Sequence, residues 1–308
     1  MRTRALVASV IACLLAAMSV LVLPGRPASS WRESFSPQLV EPSGAHPVGV
    51  RRTLVETGTD DPWAPGDPRV VMVDIRYPAA ADENPLRHYA LARYLTEQSM
   101  LAWAPDEDRR LGLREGEVNW MFTTHSHEWA PVGEGRFPVV VLSAPERSMR
   151  MSLTSLAEEL ASHGSIVVTV DHPYDAPVVE LWPTNEVVEA DDAARELTGQ
   201  ATAAARAADV AAIIDRLGSL DEEIARTVAP GCVVVPSGGL RHKVAAATAT
   251  AVIEAQIVDR YPRTARAVGA LPTLASAQHE LRTRSADLRA ALAERLDQNP
   301  TCPDGSRA

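Results

Sequence analysis

Three residues in the C-terminal third of the chain have the types and the order that nucleophilic acyl transfer needs. Ser237 stands in Val235-Pro236-Ser237-Gly238-Gly239, and Asp259 and His279 follow it. A serine hydroxyl attacks well when a histidine takes its proton and an acid orients that histidine, and Ser…Asp…His is the chain order of one α/β architecture. A serine beside two glycines is more simply a turn. A second constellation is His125-Ser126-His127-Glu128. On a strand the two imidazoles share one face, which suits a metal ion. No further His/Asp cluster lies nearby in sequence, so a hydrogen-bonded structural role is the preferred reading, and no metal or other cofactor is expected. A third is Asp171-His172 with Tyr174-Asp175, at the end of an apolar run.

The elements that must position these residues are clearest between Phe137 and Ala176. Pro138–Leu142 and Ile166–Val170 are bare apolar, β-branched runs. Between them a helix is predicted from Ser152, with Ser155 and Glu158 at capping-box spacing and Gly164 as the stop. Two short apolar strands around one helix predict a βαβ crossover in a parallel sheet buried on both faces. Asp171-His172 then falls at a strand's C-terminal end, where sites gather in open α/β sheets. Upstream, Val48–Glu56 and Arg69–Tyr77 read as strands joined by a loop rich in Asp, Pro and Gly. Residues 85–103 have helical periodicity, and 118–130 read as a strand entering a loop. Glu186 to Leu217 reads as an acidic loop and then an Ala-rich helix. Asp191-Asp192 with Glu186 and Glu189 is a solvated acidic stretch rather than a calcium site. Val233–Val235 is a short strand; Val244–Val258 and Leu274–Leu296 are helices. Trp103, Trp120, Trp129 and Trp182 are candidates for an acyl pocket, with core packing the default for large aromatics.

The proline-led strand ending in Leu142-Ser143, the helix LAEELASHG and the run VVTVDHPYDA resemble the bacterial α/β-hydrolases related to platelet-activating-factor acetylhydrolase. TLVETGTDDPW followed by VDIRYPA, and the helix AADVAAIIDRLGSL, extend the resemblance from about Val48 to Leu217. It implies an α/β-hydrolase-like fold: a mostly parallel sheet flanked by helices, with antiparallel N-terminal strands. It also implies a lipase- or esterase-type serine hydrolase, with Asp171, His172, Tyr174 and Asp175 fixing the loop beside the site.

The same resemblance fails at the catalytic motifs. The chain contains no G-x-S-x-G, the elbow that holds the nucleophile between strand and helix. Arg241-His242-Lys243-Val244-Ala245-Ala246-Ala247-Thr248-Ala249 lies on the family's Gly-His-Ser-x-Gly-Gly-Ala-Thr-Ala, with Lys243 at the nucleophile and alanines at the glycines. A lysine cannot form the acyl ester, and Arg241 and Ala245 add Cβ atoms where the elbow is crowded. The loop that supplies an oxyanion N–H reads Ser143-Ala144-Pro145-Glu146-Arg147, with an acid where negative charge develops. Ala267 to Pro272 occupies the run that carries the family's acid, with Pro272 at that position. The expectation is a catalytically degenerate member that keeps a pocket for a lipid or acyl-ester ligand or for a protein partner. The alternative is an active carboxylic-ester hydrolase using Ser237, Asp259 and His279.

The 308 residues suffice for one large domain, and 46% are hydrophobic. The net charge of −10 and the lack of a basic stripe argue against nucleic acid. Arg2 and Arg4 precede an apolar run from Ala5 to Leu23, a secretory signal or an N-terminal anchor. Cys13 lies inside that run and reads as an ordinary residue of it. The chain is therefore expected outside the cytoplasm, secreted or held at the outer face of the membrane. The expected organisation is a leader over 1–27, a linker over 28–47, the domain over 48–298 and a polar tail over 299–308. Cys232 and Cys302 could form one disulfide tying the tail to the strand near Val233, or remain two thiols.

Overall fold

The computed structural model describes residues 34–80, 89–190, 200–236, 244, 248–268, 272–298 and 302. Nine strands are seen among them: β1 (Val48–Asp60), β2 (Pro68–Pro78), β3 (Leu91–Arg93), β4 (Thr123–Glu128), β5 (Phe137–Ser143), β6 (Ile166–Asp171), β7 (Val178–Leu181), β8 (Glu186–Glu189) and β9 (Val228–Val234). The helices are α1 (Glu97–Leu111), α2 (Thr154–Ser162), α3 (Gln200–Leu220), α4 (Glu222–Ala225), α5 (Thr250–Arg260), α6 (Ala265–Val268) and α7 (Leu274–Asp297). Seven strands form one sheet in the order β3-β4-β1-β2-β6-β5-β9, and β7 and β8 form a separate hairpin. β1, β4, β6, β5 and β9 run one way, and β2 and β3 run against them.

The predicted βαβ unit is present as β5, α2 and β6, with Val139 to Ser143 in parallel register with Ile166 to Val170. Every residue of β6 is buried, as two-sided packing demands. The alternation of β5 divides the core. Val139 and Val141 pack with Ile213 of α3 and Ile224 of α4, while Val140, Leu142 and Ala144 pack with Leu156 of α2, Val252 of α5 and Leu288 of α7. Each such buried aliphatic side chain contributes about 1.5–3 kcal/mol.

Several elements differ from the sequence reading. In place of one helix over 85–103, β3 pairs with β4, Thr96 caps the helix by accepting from the Ser99 N–H, and α1 runs on to Leu111. Gly112, at φ 66°, then ends it in the left-handed conformation that glycine adopts freely. Ser155 and Glu158 form no capping box. Leu153 is the N-cap without a side-chain bond, and Glu158 accepts from the His125 N–H (2.8 Å) and the Ser126 hydroxyl (2.7 Å). The buried carboxylate thus ties α2 to β4. The acidic stretch from Glu186 begins as β8, paired with β7; Asp191 and Asp192 lie outside the described residues. Val244 is helical, 245–247 lie outside the described residues, and the predicted helix is broken at Thr248 and Ala249 before α5 begins at Thr250. The run expected to carry the family's acid is helical at Ala267 and Val268, and Gly269 to Leu271 lie outside the described residues.

Phe35 to Pro47, expected as linker, lies along the domain. Phe35 exchanges backbone bonds with Glu117 and Asn119, and Leu39 is buried. Cys232 of β9 and Cys302 form a disulfide. Residues 1–27, expected as a leader, lie outside the described residues. Among the described residues no helix is long and apolar enough to cross a membrane.

Candidate active site and the cleft beside it

A hydrogen-bonded serine, histidine and aspartate meet where β5 and β6 end. Ser143 closes β5, His172 follows β6, and parallel register makes the two strand ends neighbours. The Ser143 Oγ lies 2.8 Å from His172 Nε2, and His172 Nδ1 lies 2.8 Å from an Asp209 carboxylate oxygen. Asp209 projects from α3, where Arg69 also grips it, with Nε at 3.1 Å and a terminal nitrogen at 2.8 Å. Burial alone would raise the Asp209 carboxyl, but bonds from His172 and Arg69 outweigh burial and hold it below the usual carboxylate range. Burial likewise pushes the His172 imidazole down, against the pull of Asp209, so the ring is neutral. A carboxylate only accepts, so Nδ1 carries the hydrogen and Nε2 accepts from Ser143.

That is the hydrogen-bond order of a catalytic triad, yet each part is already engaged. Arg206 donates to the Ser143 Oγ (2.8 Å) and to the Ala144 carbonyl, and it pairs with Asp175. Arg69 adds bonds to Asp61 (2.9 Å) and the Pro173 carbonyl (3.0 Å). Ser143 also continues the row of Val139 and Val141, on the α3 face of the sheet.

The cleft opens from the other face. It is about 310 Å³, near the small end for ligand sites, and lies beyond the C-terminal ends of β5 and β6. Its apolar wall is Tyr94, Trp103, Trp120, Met149, Met151 and Ile253. Trp103 and Trp120 meet edge to face at 5.1 Å, and Tyr94 stacks on Phe122 at 4.7 Å. The Trp120 indole N–H donates to Asp108 at 2.8 Å, so the ring has its polar need met away from the cleft. Arg110 bridges two acids of the wall, Glu107 and Glu254, each at 2.5 Å. The hydroxyls in the wall are Ser148, Ser152, Thr250 and Tyr94, and no histidine lines it among the described residues.

A buried ion network shapes one side of the cleft. Arg150 holds Asp74 (2.9 Å) and Asp171, and the Arg150 backbone N–H donates to Asp171 as well. This fixes the 3-10 turn Arg150–Leu153, which follows the cleft residue Met149 and carries the cleft residues Met151 and Ser152. Asp171 thus pairs with Arg150, Asp175 with Arg206, and His172 bonds Ser143. α5 begins beside the same turn, its N-cap Ala249 donating to the Ser152 carbonyl at 2.9 Å.

The residues singled out in the sequence are scattered. Ser237 and Lys243 lie outside the described residues. Asp259 is exposed at the end of α5 and His279 is exposed on α7, and neither side chain has a hydrogen bond or ion pair with a described residue. The His125 and His127 imidazoles meet the backbone carbonyls of Leu39 (3.3 Å) and Tyr89 (3.1 Å). No group of three metal-ligating side chains occurs among the described residues. Trp103 and Trp120 line the cleft, whereas Trp129 and Trp182 are exposed at 51% and 40%. The bond between Ser143 and His172 escaped the sequence reading. Its signal was a hydroxyl and an imidazole closing two strands predicted to be adjacent.

No protein-family model matches the chain, and no curated protein matches it in sequence. Among solved structures it is similar to a ferulic acid esterase from Streptomyces cinnamoneus, with a TM-score of 0.56 and 22% identity. The match covers 83% of this chain and 92% of that one. The fold is that of the α/β-hydrolases, a mixed sheet of mostly parallel strands flanked by helices.

Proposed function

We propose that this is a ligand-binding α/β-hydrolase-fold protein, related to the acetylhydrolase-like esterases, in which ester hydrolysis is lost and the pocket is kept. One observation carries the reading: the aromatic cleft has hydroxyls in its wall but no histidine among its described residues. A serine or threonine without a base in reach is a poor nucleophile. The Ser143–His172–Asp209 chain does not supply that base, because it faces α3 and Arg206 already holds Ser143. Lys243 at the apparent nucleophile position and Glu146 in the oxyanion loop support the same reading. So do the exposed Asp259 and His279. The ligand is a small molecule with a lipid-like or aromatic apolar body. The apolar N-terminal run and the Cys232–Cys302 disulfide support an exported protein.

The second reading is an active carboxylic-ester hydrolase. β9 ends at Val234, so Ser237 falls three residues beyond a parallel strand, near where this fold carries its nucleophile. Incubation with a fluorophosphonate probe and a short-chain p-nitrophenyl ester separates the two. Binding without labelling or turnover is expected. Labelling and turnover that Ser237→Ala abolishes would establish the esterase.

A further inference from the structure

We infer that the cleft takes a small free carboxylic acid in its anionic form, read by Arg147, rather than the corresponding ester. The inference rests on the proposal that the cleft is a binding site. Four charged side chains line it: Glu107, Arg110, Glu254 and Arg147. The first three form a closed group, since Arg110 is bonded to both glutamates. Arg147 has no hydrogen bond or ion pair with any described residue. It is exposed at the rim, and its backbone sits at φ 59°, where a non-glycine residue is uncommon and marks a position worth a functional reading. A guanidinium presents a planar fork that matches a carboxylate and gains nothing comparable from a neutral ester.

Two further donors face the same space. Tyr94 is only 9% exposed and lines the cleft, yet its hydroxyl has no hydrogen-bond partner among the described residues. Burial, with Glu107 nearby, raises its pKa, so it stays a donor at any ordinary pH. Thr250 opens the eleven-residue α5, whose N-cap Ala249 offers no side-chain bond, so the first-turn N–H groups and the positive end of the helix dipole adjoin the cleft. A cationic ligand fits less well. The two glutamates share Arg110, which leaves the trio one net negative charge, but both carboxylates are already bonded to that guanidinium, and the aromatic rings pair with each other rather than closing a box around one point. The apolar wall then receives an aromatic ring or a short acyl chain, and 310 Å³ leaves room for little more.

The test uses the purified full chain titrated with 3-phenylpropanoate and octanoate, with their methyl esters, and with tetramethylammonium. Calorimetry and tryptophan fluorescence read the binding. The expected result is that each acid binds at least tenfold tighter than its methyl ester. Arg147→Met removes that preference while leaving ester affinity and the folded circular dichroism spectrum unchanged, and Tyr94→Phe weakens acid binding severalfold. Equal or tighter binding of the esters, or tighter binding of tetramethylammonium, would overturn the carboxylate inference while leaving a binding cleft. Binding of no probe at millimolar concentration would overturn both.

Discussion

The two faces of β5 carry opposite kinds of polar chemistry. On the α3 face, Ser143, His172, Asp209, Arg69 and Arg206 form a chain in which every member is partnered, and His172 and Asp209 are about 1% exposed. On the cleft face, the Arg147 guanidinium and the Thr250 and Tyr94 hydroxyls have no partner among the described residues, on a wall of aromatic and thioether side chains. A triad-like hydrogen-bond order is therefore a poor guide to reactivity by itself. Saturated groups hold a fold together, and unsaturated groups at a cavity are free for a ligand.

If that contrast is right, damage on the α3 face costs stability and damage on the cleft face does not. The largest effect is expected from Asp209→Ala, which takes one of the two carboxylates from the buried Arg69 guanidinium, leaving it only Asp61, and removes the partner of His172. It should cost about 3–5 kcal/mol in urea unfolding, with acid binding by the surviving folded fraction unchanged. A loss below about 1 kcal/mol would break the comparison. Ser143→Ala leaves His172 Nε2 and one bond of Arg206 unmet in a largely dry site, and about 1–3 kcal/mol should be lost. The same variant should leave fluorophosphonate reactivity as it was; a loss of labelling would turn the chain into a working triad.

A smaller effect is expected from acid. Burial lowers the His172 pKa below the value of about 6.5 that the ring has when unfolded. The unfolded chain then binds the extra proton, so His172 costs nothing above about pH 6.5 and costs stability as pH falls below it. The free energy of unfolding should fall from about pH 7 to about 5.5, and His172→Gln should largely remove that fall. The smallest effect belongs to the cleft: Arg147→Met and Thr250→Ala should each stay within about 0.5 kcal/mol of the parent, as exposed positions do.

The sheet's centre was legible because its strands are apolar runs of the right length around a helix closed by Gly164, whose φ is 88°. β5 and β6 fall within one residue of the predicted bounds at each end. β3 was not legible: at three residues it is too short to show a period of two, and a helical pattern follows at once. The Ser155–Glu158 spacing misled because a carboxylate that meets a strand's N–H and a hydroxyl has no need of a helix end. The cleft was half visible. Trp103 and Trp120 were named beside Trp129 and Trp182, but only the docking of α1 against the β5–α2 loop separates wall from surface. Arg147 carried no signal at all, since a cation counts as unpaired only when its surroundings are known.

The Cys232–Cys302 bond spans 70 residues of sequence and closes them into a covalent ring that contains α5, α6 and α7. A nick anywhere inside that ring would leave two pieces that cannot drift apart until the bond is reduced. On a gel without reductant the cut molecule would migrate as one species. α5, which carries the first-turn side of the cleft, would therefore stay attached after a single cut on either of its flanks.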